Sequence, residues 1–471
     1  MKKKILRIAE ILGFGVAAVL TVLLLYRVLS WKDTNGEYMS TTKQLYSTKD
    51  NLIDVVFMGS SHCYCGIYPS VLWEDAGIAA FDMATSGQDC ISATHMLKEL
   101  LKTQRPKVVM VDLYGFCFDK HGVESNEYRN YLSLKPSVNS VEAVLEYFDG
   151  EKKSQRMDYI SRFPIVHTRY RELKKYDFVQ YEPSIYGRGA MYSWQTTPVE
   201  YLKGGDGVTD KSEISANSSE MIDRLVGMSE KYGFSLEFTV IPFDRTPEEQ
   251  MAINACIDYA TDKGIRCTDF TALRDQIDLI GVSDYIDDCH LNALGAGKLT
   301  KYIEYTLLSD YELENHKGDS DYEMWDKDLN YFNHSFLESA LSSSGNLTRV
   351  LSLIRNSEDT VTVFSLEGDY ADNSFLFNDL KEMGMSEEDY SLGGKWVYAD
   401  GVLTKIVSNI PGEIATYDIN REKTVLLAYT EDFNPGNIVF EGSSYGGTGC
   451  YLTVMVYDNV LDREIYCGSF N

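Results

Sequence analysis

Positive charge is what this sequence has least of. Across 471 residues, 44 Lys and Arg stand against 71 Asp and Glu, a formal net charge of -27. That deficit argues against nucleic acid as a partner, because its phosphates are held by Lys and Arg. It argues against a polybasic hold on anionic lipid in the same way. The acidic balance is a solubility feature first. Also missing is a small-x-small cleavage site after the first apolar run, which a removed signal peptide would need. Regular cysteine spacing is absent too: the nine cysteines are odd in number and irregularly placed, so they outline no disulfide framework. Cys63, Cys65, Cys90, Cys117, Cys256, Cys267 and Cys289 read as buried free thiols. Cys450 and Cys467 flank a β-rich stretch and are the only pair expected to bond. His62, Cys63, Cys65, Cys289 and His290 carry metal-ligand chemistry, but C-x-C matches no common zinc spacing, which argues against a metal site.

What is present begins with length. At roughly 150 residues per domain, the chain holds two or three domains, each able to bury a core. Lys2, Lys3, Lys4 and Arg7 precede 11–26, a run of sixteen residues without charge. Val28, Leu29 and a snorkelling Arg27 extend it toward the ~20 residues that span a bilayer. The expectation is an uncleaved transmembrane helix within 1–30 and a polar stalk over 31–51. With the cations on its N-terminal side, the helix makes a single-pass cell-membrane protein whose C-terminal bulk lies outside the cytoplasm.

Beyond the stalk, strand-like runs alternate with helix-like ones. Strands are expected at 54–58, 79–83, 107–113, 235–241 and 265–269, and helices at 70–76, 90–103, 215–232, 247–263 and 293–308. Short apolar strands between amphipathic helices indicate an α/β fold with a doubly wound, mostly parallel sheet covered on both faces. An interruption over 119–211 is crowded with Phe163, Tyr170, Tyr176, Phe178, Tyr181, Tyr186, Tyr192 and Trp194. Following a central strand, it lands at the ligand-binding end of such a sheet. Its aromatics are either a wall for a sugar or acyl chain or the insertion's own small core. The span 311–357 reads as an acidic linker, and 358–471 as a separate β-rich domain with Gly and Asp turns.

The chemistry-bearing residues fall at strand ends. "VVFMGSSHCYCG" carries a strand straight into two serines, where a helix N-cap and a nucleophile are both natural readings. "YIDDCHLNALGAGKLTKYI" presents Asp287 and His290 three residues apart. That spacing lets the carboxylate meet Nδ1 while Nε2 faces a serine. Asp288 is expected to point elsewhere, as a surface or helix-terminal acid.

These blocks resemble the SGNH, or GDSL-type, hydrolase superfamily over about 52–310. "VVFMGSSH" matches the first block, placing the nucleophile at Ser61, and the family's Asp-x-x-His maps onto Asp287 and His290. Gly87 in "DMATSGQD" matches the glycine that joins the Ser61 backbone in the oxyanion hole. The third block departs from the pattern, since "VVMVDLYGF" lacks the expected asparagine; Gln88 is the candidate substitute. The resemblance implies a flavodoxin-like SGNH fold and a Ser61 acyl-enzyme, with no metal or organic cofactor.

Among such proteins this one looks most like membrane-anchored, extracytoplasmic proteins that handle O-acyl groups on cell-wall polymers and exopolysaccharides. A serine esterase or O-acyltransferase is therefore expected, with a cell-surface glycan or acylated polymer as substrate and a membrane acyltransferase as a partner in the transfer case. Two other classes remain open: a non-catalytic surface protein of this fold that binds glycan or a partner, and a lipase-like hydrolase. "VFSLEGDYADN" and "LTVMVYDN" with "REIYCGSF" resemble the interleukin-like inducer domain. That likeness implies a carbohydrate-binding or interaction module over 358–471.

Overall fold

Short runs of β-branched and aromatic residues build one parallel sheet in the N-terminal part of the chain. The computed structural model describes residues 2–30, 40–117, 124–178, 186–200, 205–367, 374–410, 412–429, 438–446 and 450–470. Strands β1 (Val55–Met58), β2 (Ala80–Asp82), β3 (Val108–Asp112), β4 (Ser235–Val240) and β5 (Arg266–Asp269) are parallel, in the order β2-β1-β3-β4-β5. Parallel neighbours require crossovers. These come as helices Pro69–Ala76, Cys90–Leu100, Ala216–Tyr232 and Pro247–Asp262, and Ala293–Asp310 follows β5.

Every residue of β1 and β3 is buried, as a sheet covered on both faces requires. Fully burying one such apolar side chain contributes about 1.5–3 kcal/mol. The helices start where sequence chemistry says they should: Asp89 with Ser92, and Thr246 with Glu249, form capping boxes. Strand order reverses beside β1, so the carboxyl ends of β1 and β3 flank the place where such sheets hold ligands.

The chain divides into two compact units, Met1–Leu329 and Asn330–Asn471. The first contains helix Lys2–Leu29, whose stretch Glu10–Leu29 has mean hydropathy 2.2 and is long and apolar enough to cross a membrane. In the second unit, β6 (Thr360–Glu367), β7 (Gly393–Ala399), β8 (Val402–Val407), β13 (Leu452–Asp458) and β14 (Arg463–Phe470) make an antiparallel sheet in the order β14-β13-β6-β7-β8. A second antiparallel sheet runs β12-β11-β10-β9, from β9 (Glu413–Asp418), β10 (Thr424–Tyr429), β11 (Ile438–Phe440) and β12 (Ser443–Tyr445). The two-residue strand period explains the layering. Leu452, Val454 and Val456 face a core shared with helical Leu341, Val350 and Ile354. Met455 and Tyr457 face the other way, onto Val425, Leu427 and Phe440 of the second sheet.

Four expectations need correction. Of the stalk, 31–39 lies outside the described residues, while Ser40–Ser47 is a helix that buries Thr41, Thr42 and Leu45 in the first unit. Thr42 donates to Ser133 O and Gln44 to Tyr186 O, so the polar composition was satisfying buried backbone. The span 311–357 is not a linker. His316 stacks on Tyr322 at 4.1 Å and bonds Asp54, and Trp325, 1 % exposed, donates to Ala80 O. Helices Glu323–Ser342 and Leu347–Arg355 occupy most of the remainder. Exposed Glu323 and Asp326 on the first of these helices hid its apolar stripe.

Cys450 and Cys467 are free thiols. Cys467 pairs with Met455, five positions beyond Cys450 on the neighbouring strand, which separates the two by roughly 16 Å at 3.3 Å per residue and rules out a bridge. Finally, the insertion's aromatic core is Tyr131, Tyr147, Phe148 and Tyr159, with ring centroids 4.1–5.8 Å apart. Tyr170 and Phe178 are instead 58 % and 67 % exposed, Tyr192 packs on Tyr68, and Tyr181 lies outside the described residues.

Candidate active site

The adjacent serines at the end of β1 take different places. Ser60 is the N-cap of the short helix Ser61–Gly66 and accepts from His62 N. Ser61 is the first helical residue, and its Oγ lies 2.7 Å from His290 Nε2. Only glycine fits before them: a Cβ on Gly59 would come within 2.7 Å of Asp112 Cβ and 3.0 Å of Cys63 Cβ. That close approach sets the sharp exit from the strand.

His290 and Asp287 share one small loop, closed by the bridge Tyr285–Leu291 and by Ile286 N donating to His290 O. Asp287 Oδ1 accepts the backbone N–H groups of Cys289 and His290, both at 2.9 Å. Its two oxygens lie 2.9 and 3.0 Å from His290 Nδ1. A carboxylate can only accept, so Nδ1 carries the proton and Nε2 is free to take one from Ser61. Burial alone would raise the Asp287 pKa, but these hydrogen bonds outweigh it and hold it below the usual carboxylate value. Asn292 fixes the loop's far end by accepting from Leu294 N and Gly295 N at the start of the last helix. Its own amide reaches back to Ser283 O and to Gln195 O and Thr196 Oγ1 of the insertion.

Beneath the serine lies a floor of buried acids. Asp82 ends β2, accepts from Ala84 N at 2.8 Å and receives the Cys63 thiol at 3.6 Å. Asp112 ends β3, and Ile241 N donates to its Oδ1. Among the described residues no cation is bonded to either, and burial pushes Asp82 up to about 8 and Asp112 up to about 7. His62 packs between Tyr114 and Phe243, with its ring 5.5 Å from that of His290. Its desolvation, then the neighbouring imidazole, lowers its pKa to about 3, so it stays neutral. Cys63 and His62 are thus engaged separately. Among the described residues the metal-capable cluster is Asp287, Asp288 and Cys289, three successive residues of which Asp287 is already bonded to His290 Nδ1.

Gly87 lies in the loop after β2 at φ 58. Gln88 does not provide the missing amide. Its Nε2 donates inward to Met83 O and Thr85 Oγ1, and its backbone N–H goes to Thr85 O. The amide beside Gly87 belongs to Asn126, so close that a Cβ on Gly87 would meet its Nδ2 at 2.3 Å. Arg129 donates to Asn126 Oδ1, which turns the amide nitrogen toward the glycine. Asn130 Nδ2 clamps Gly87 O at 3.0 Å. Tyr64 stands on the same short helix as Ser61 and is half-buried. Helical i, i+3 spacing from Ser61 could have flagged Tyr64. Asn126 gave no such signal, since it comes from the insertion rather than the end of β3.

Comparison with known proteins adds little to this geometry. No protein family matches the chain, and no curated protein does. Among solved structures, a gut microbial diltiazem-metabolizing enzyme is matched at 14 % identity and a TM-score of 0.20, over 55 % of this chain. The match spans 47 % of that enzyme, about half its length.

Proposed function

We propose that the protein is a membrane-anchored serine esterase or O-acyltransferase of the SGNH type, acting outside the cytoplasm on acyl esters of cell-surface polysaccharide. The observation that carries this reading is the line Ser61 Oγ, His290 Nε2 at 2.7 Å, and Asp287 on Nδ1 at 2.9 Å. Ser61 Oγ attacks the ester carbonyl while its proton moves to His290 Nε2. Asp287 holds the ring in the tautomer that can accept it and offsets the imidazolium charge. The carbonyl oxygen becomes an oxyanion that the Ser61 and Gly87 N–H groups and the Asn126 amide would bind.

As the tetrahedral species collapses, the ester C–O bond breaks. The leaving alkoxide takes the proton back from His290, and the acyl group stays on Ser61. A water or glycan hydroxyl then repeats the sequence, with His290 taking its proton, and frees Ser61. In the transferase form a membrane acyltransferase would supply the acyl donor.

A serine-directed phosphonate should label wild-type protein and Ser60→Ala but not Ser61→Ala, followed by intact-protein mass. Turnover of acetylated glycans against simple acyl esters then sorts the substrate. The inward-turned Gln88 favours a second reading, a glycan- or partner-binding protein of this fold. Absence of labelling in every folded form would decide for it.

A further inference from the structure

The charge deficit of the chain is not uniform. Over 150–178, eight Lys and Arg stand against four Asp and Glu, within a chain of net charge -27. Its second half, 163–178, packs on the apolar helix. Elements Phe163–Val166, His167–Arg171 and Lys175–Phe178 all contact helix Lys2–Leu29. Arg169, 8 % exposed, donates to the terminal carbonyls Leu29 O and Ser30 O at 2.7 and 2.6 Å. Its other nitrogen meets buried Asp177, whose second oxygen accepts Lys174 N. A guanidinium on the last carbonyls completes the helix end and complements its dipole.

Consumption of Arg169 and Asp177 in this buried clasp leaves the rest of the strip facing outward. Arg171, Lys174 and Lys175 are exposed, with Glu172 the one exposed acid among them. Tyr170 and Phe178 are 58 % and 67 % exposed. If the apolar helix crosses the bilayer, its stretch Glu10–Leu29 ends at the lipid surface. Anything packed against its last turn then lies within about one helix diameter, roughly 10–12 Å, of that surface. Cations with aromatic rings at this depth are the composition that suits an anionic headgroup layer.

The geometry points to a lipid-docking surface: Tyr170, Arg171, Lys174, Lys175 and Phe178 rest on anionic lipid beside the helix and fix the attitude of the folded unit on the membrane. The inference rests on the membrane-anchor part of the proposed function. Clamped at Arg169, the unit cannot swing freely about the helix end. The acidic remainder is repelled by the same headgroups, so the basic strip is the side the membrane selects.

Full-length protein reconstituted in nanodiscs of phosphatidylglycerol with phosphatidylcholine, and of phosphatidylcholine alone, tests this by hydrogen exchange. Alkaline washing of the protein in vesicles reads the anchor independently: release from the lipid would reject the anchor, whatever the strip does. With the anchor retained, peptides covering 163–178 should exchange several-fold more slowly in the anionic discs. That protection should vanish in 0.5 M salt, where the Debye length falls to roughly 4 Å from about 10 Å at 0.1 M, and in the triple variant Arg171→Glu, Lys174→Glu, Lys175→Glu. The exposed positions of that variant leave the Arg169–Asp177 clasp intact, and unchanged exchange in the β1 and β3 peptides would show that it folds. Equal exchange in both disc types, or protection that survives charge reversal, would overturn the proposal.

Discussion

The rim and the floor of the site both carry aspartates at the carboxyl end of the sheet, and the two fare oppositely. On the rim, Asp287 has a 48 % exposed side chain and is bonded to an imidazole and two backbone N–H groups, which hold its pKa down. On the floor, Asp82 and Asp112 are 0 % and 1 % exposed, and burial holds theirs up. Residue type therefore does not decide what a carboxylate does here; its donors and its water do. The regions also differ in how they are assembled. The rim's acid and base come from one loop of the sequence, whereas the floor's strands are fastened by residues 140 to 262 positions apart: Asp54 to His316, Ala80 to Trp325, and the buried Arg188–Asp328 pair.

The largest effect should come from cutting those fastenings. A chain ended after residue 315 loses Trp325, worth about 3–5 kcal/mol as a buried aromatic. It also strands Arg188, 2 % exposed, without Asp328, at a further ~3–5 kcal/mol. Against a typical total of ~5–15 kcal/mol, that fragment should show no cooperative melting and no esterase activity, while one ended after 329 should melt cooperatively. Equal melting of the two would mean that the floor stands without these contacts.

On the rim, Ser61→Ala and His290→Ala should each lower kcat by at least about 10³-fold, the scale on which triad members act as a unit. Asp287→Asn should fall between them and wild type. Ser60→Ala should instead cost about 1 kcal/mol of stability through the lost cap, and much less rate. Stopped assays at saturating ester, with melting curves in parallel, separate the two serines. A rate loss in Ser60→Ala matching that of Ser61→Ala would undo the distinction.

Much of this was legible in the sequence. The five strands and the crossover helices appear within three residues of their expected limits, because alternation and caps are local signals. The Asp287–His290 pair was legible in its three-residue spacing, whereas the choice of Ser61 over Ser60 came from the resemblance of the motif blocks, since both serines end the same strand. What escaped was non-local. Gln88 and Asn126 are both amides, and only the folded insertion decides that the first turns into the core while the second stands on Gly87. Asp82 and Asp112 look like ordinary strand-end acids until burial is known. Asn126→Ala should therefore lower kcat by about 10²–10³-fold with little change in KM, the loss expected for one oxyanion donor. Gln88→Ala should lower the melting temperature and leave kcat near wild type. A normal rate in Asn126→Ala would return the missing donor to some other group.

Floor and rim also separate by pH alone. A carboxylate whose folded pKa lies below its unfolded value contributes stability above the unfolded value, and loses it as pH falls through the folded one; Asp287 is of this kind. Asp82 runs the other way. Its folded pKa of about 8 exceeds the ordinary 3.8. Its contribution is complete below pH ~4 and is lost progressively as pH rises toward 8, because the unfolded chain ionises there more easily than the buried one. Asp112 adds a parallel loss that ends near 7. Asp82→Asn replaces the neutral acid with a neutral amide of similar shape and removes the ionisation. Between pH 5 and pH 8 the variant should lose a few degrees less in melting temperature than wild type, and Asp287→Asn should not show that flattening. Parallel curves for wild type and Asp82→Asn would mean that water or a neighbouring group already supports the Asp82 charge, and the floor would then resemble the rim.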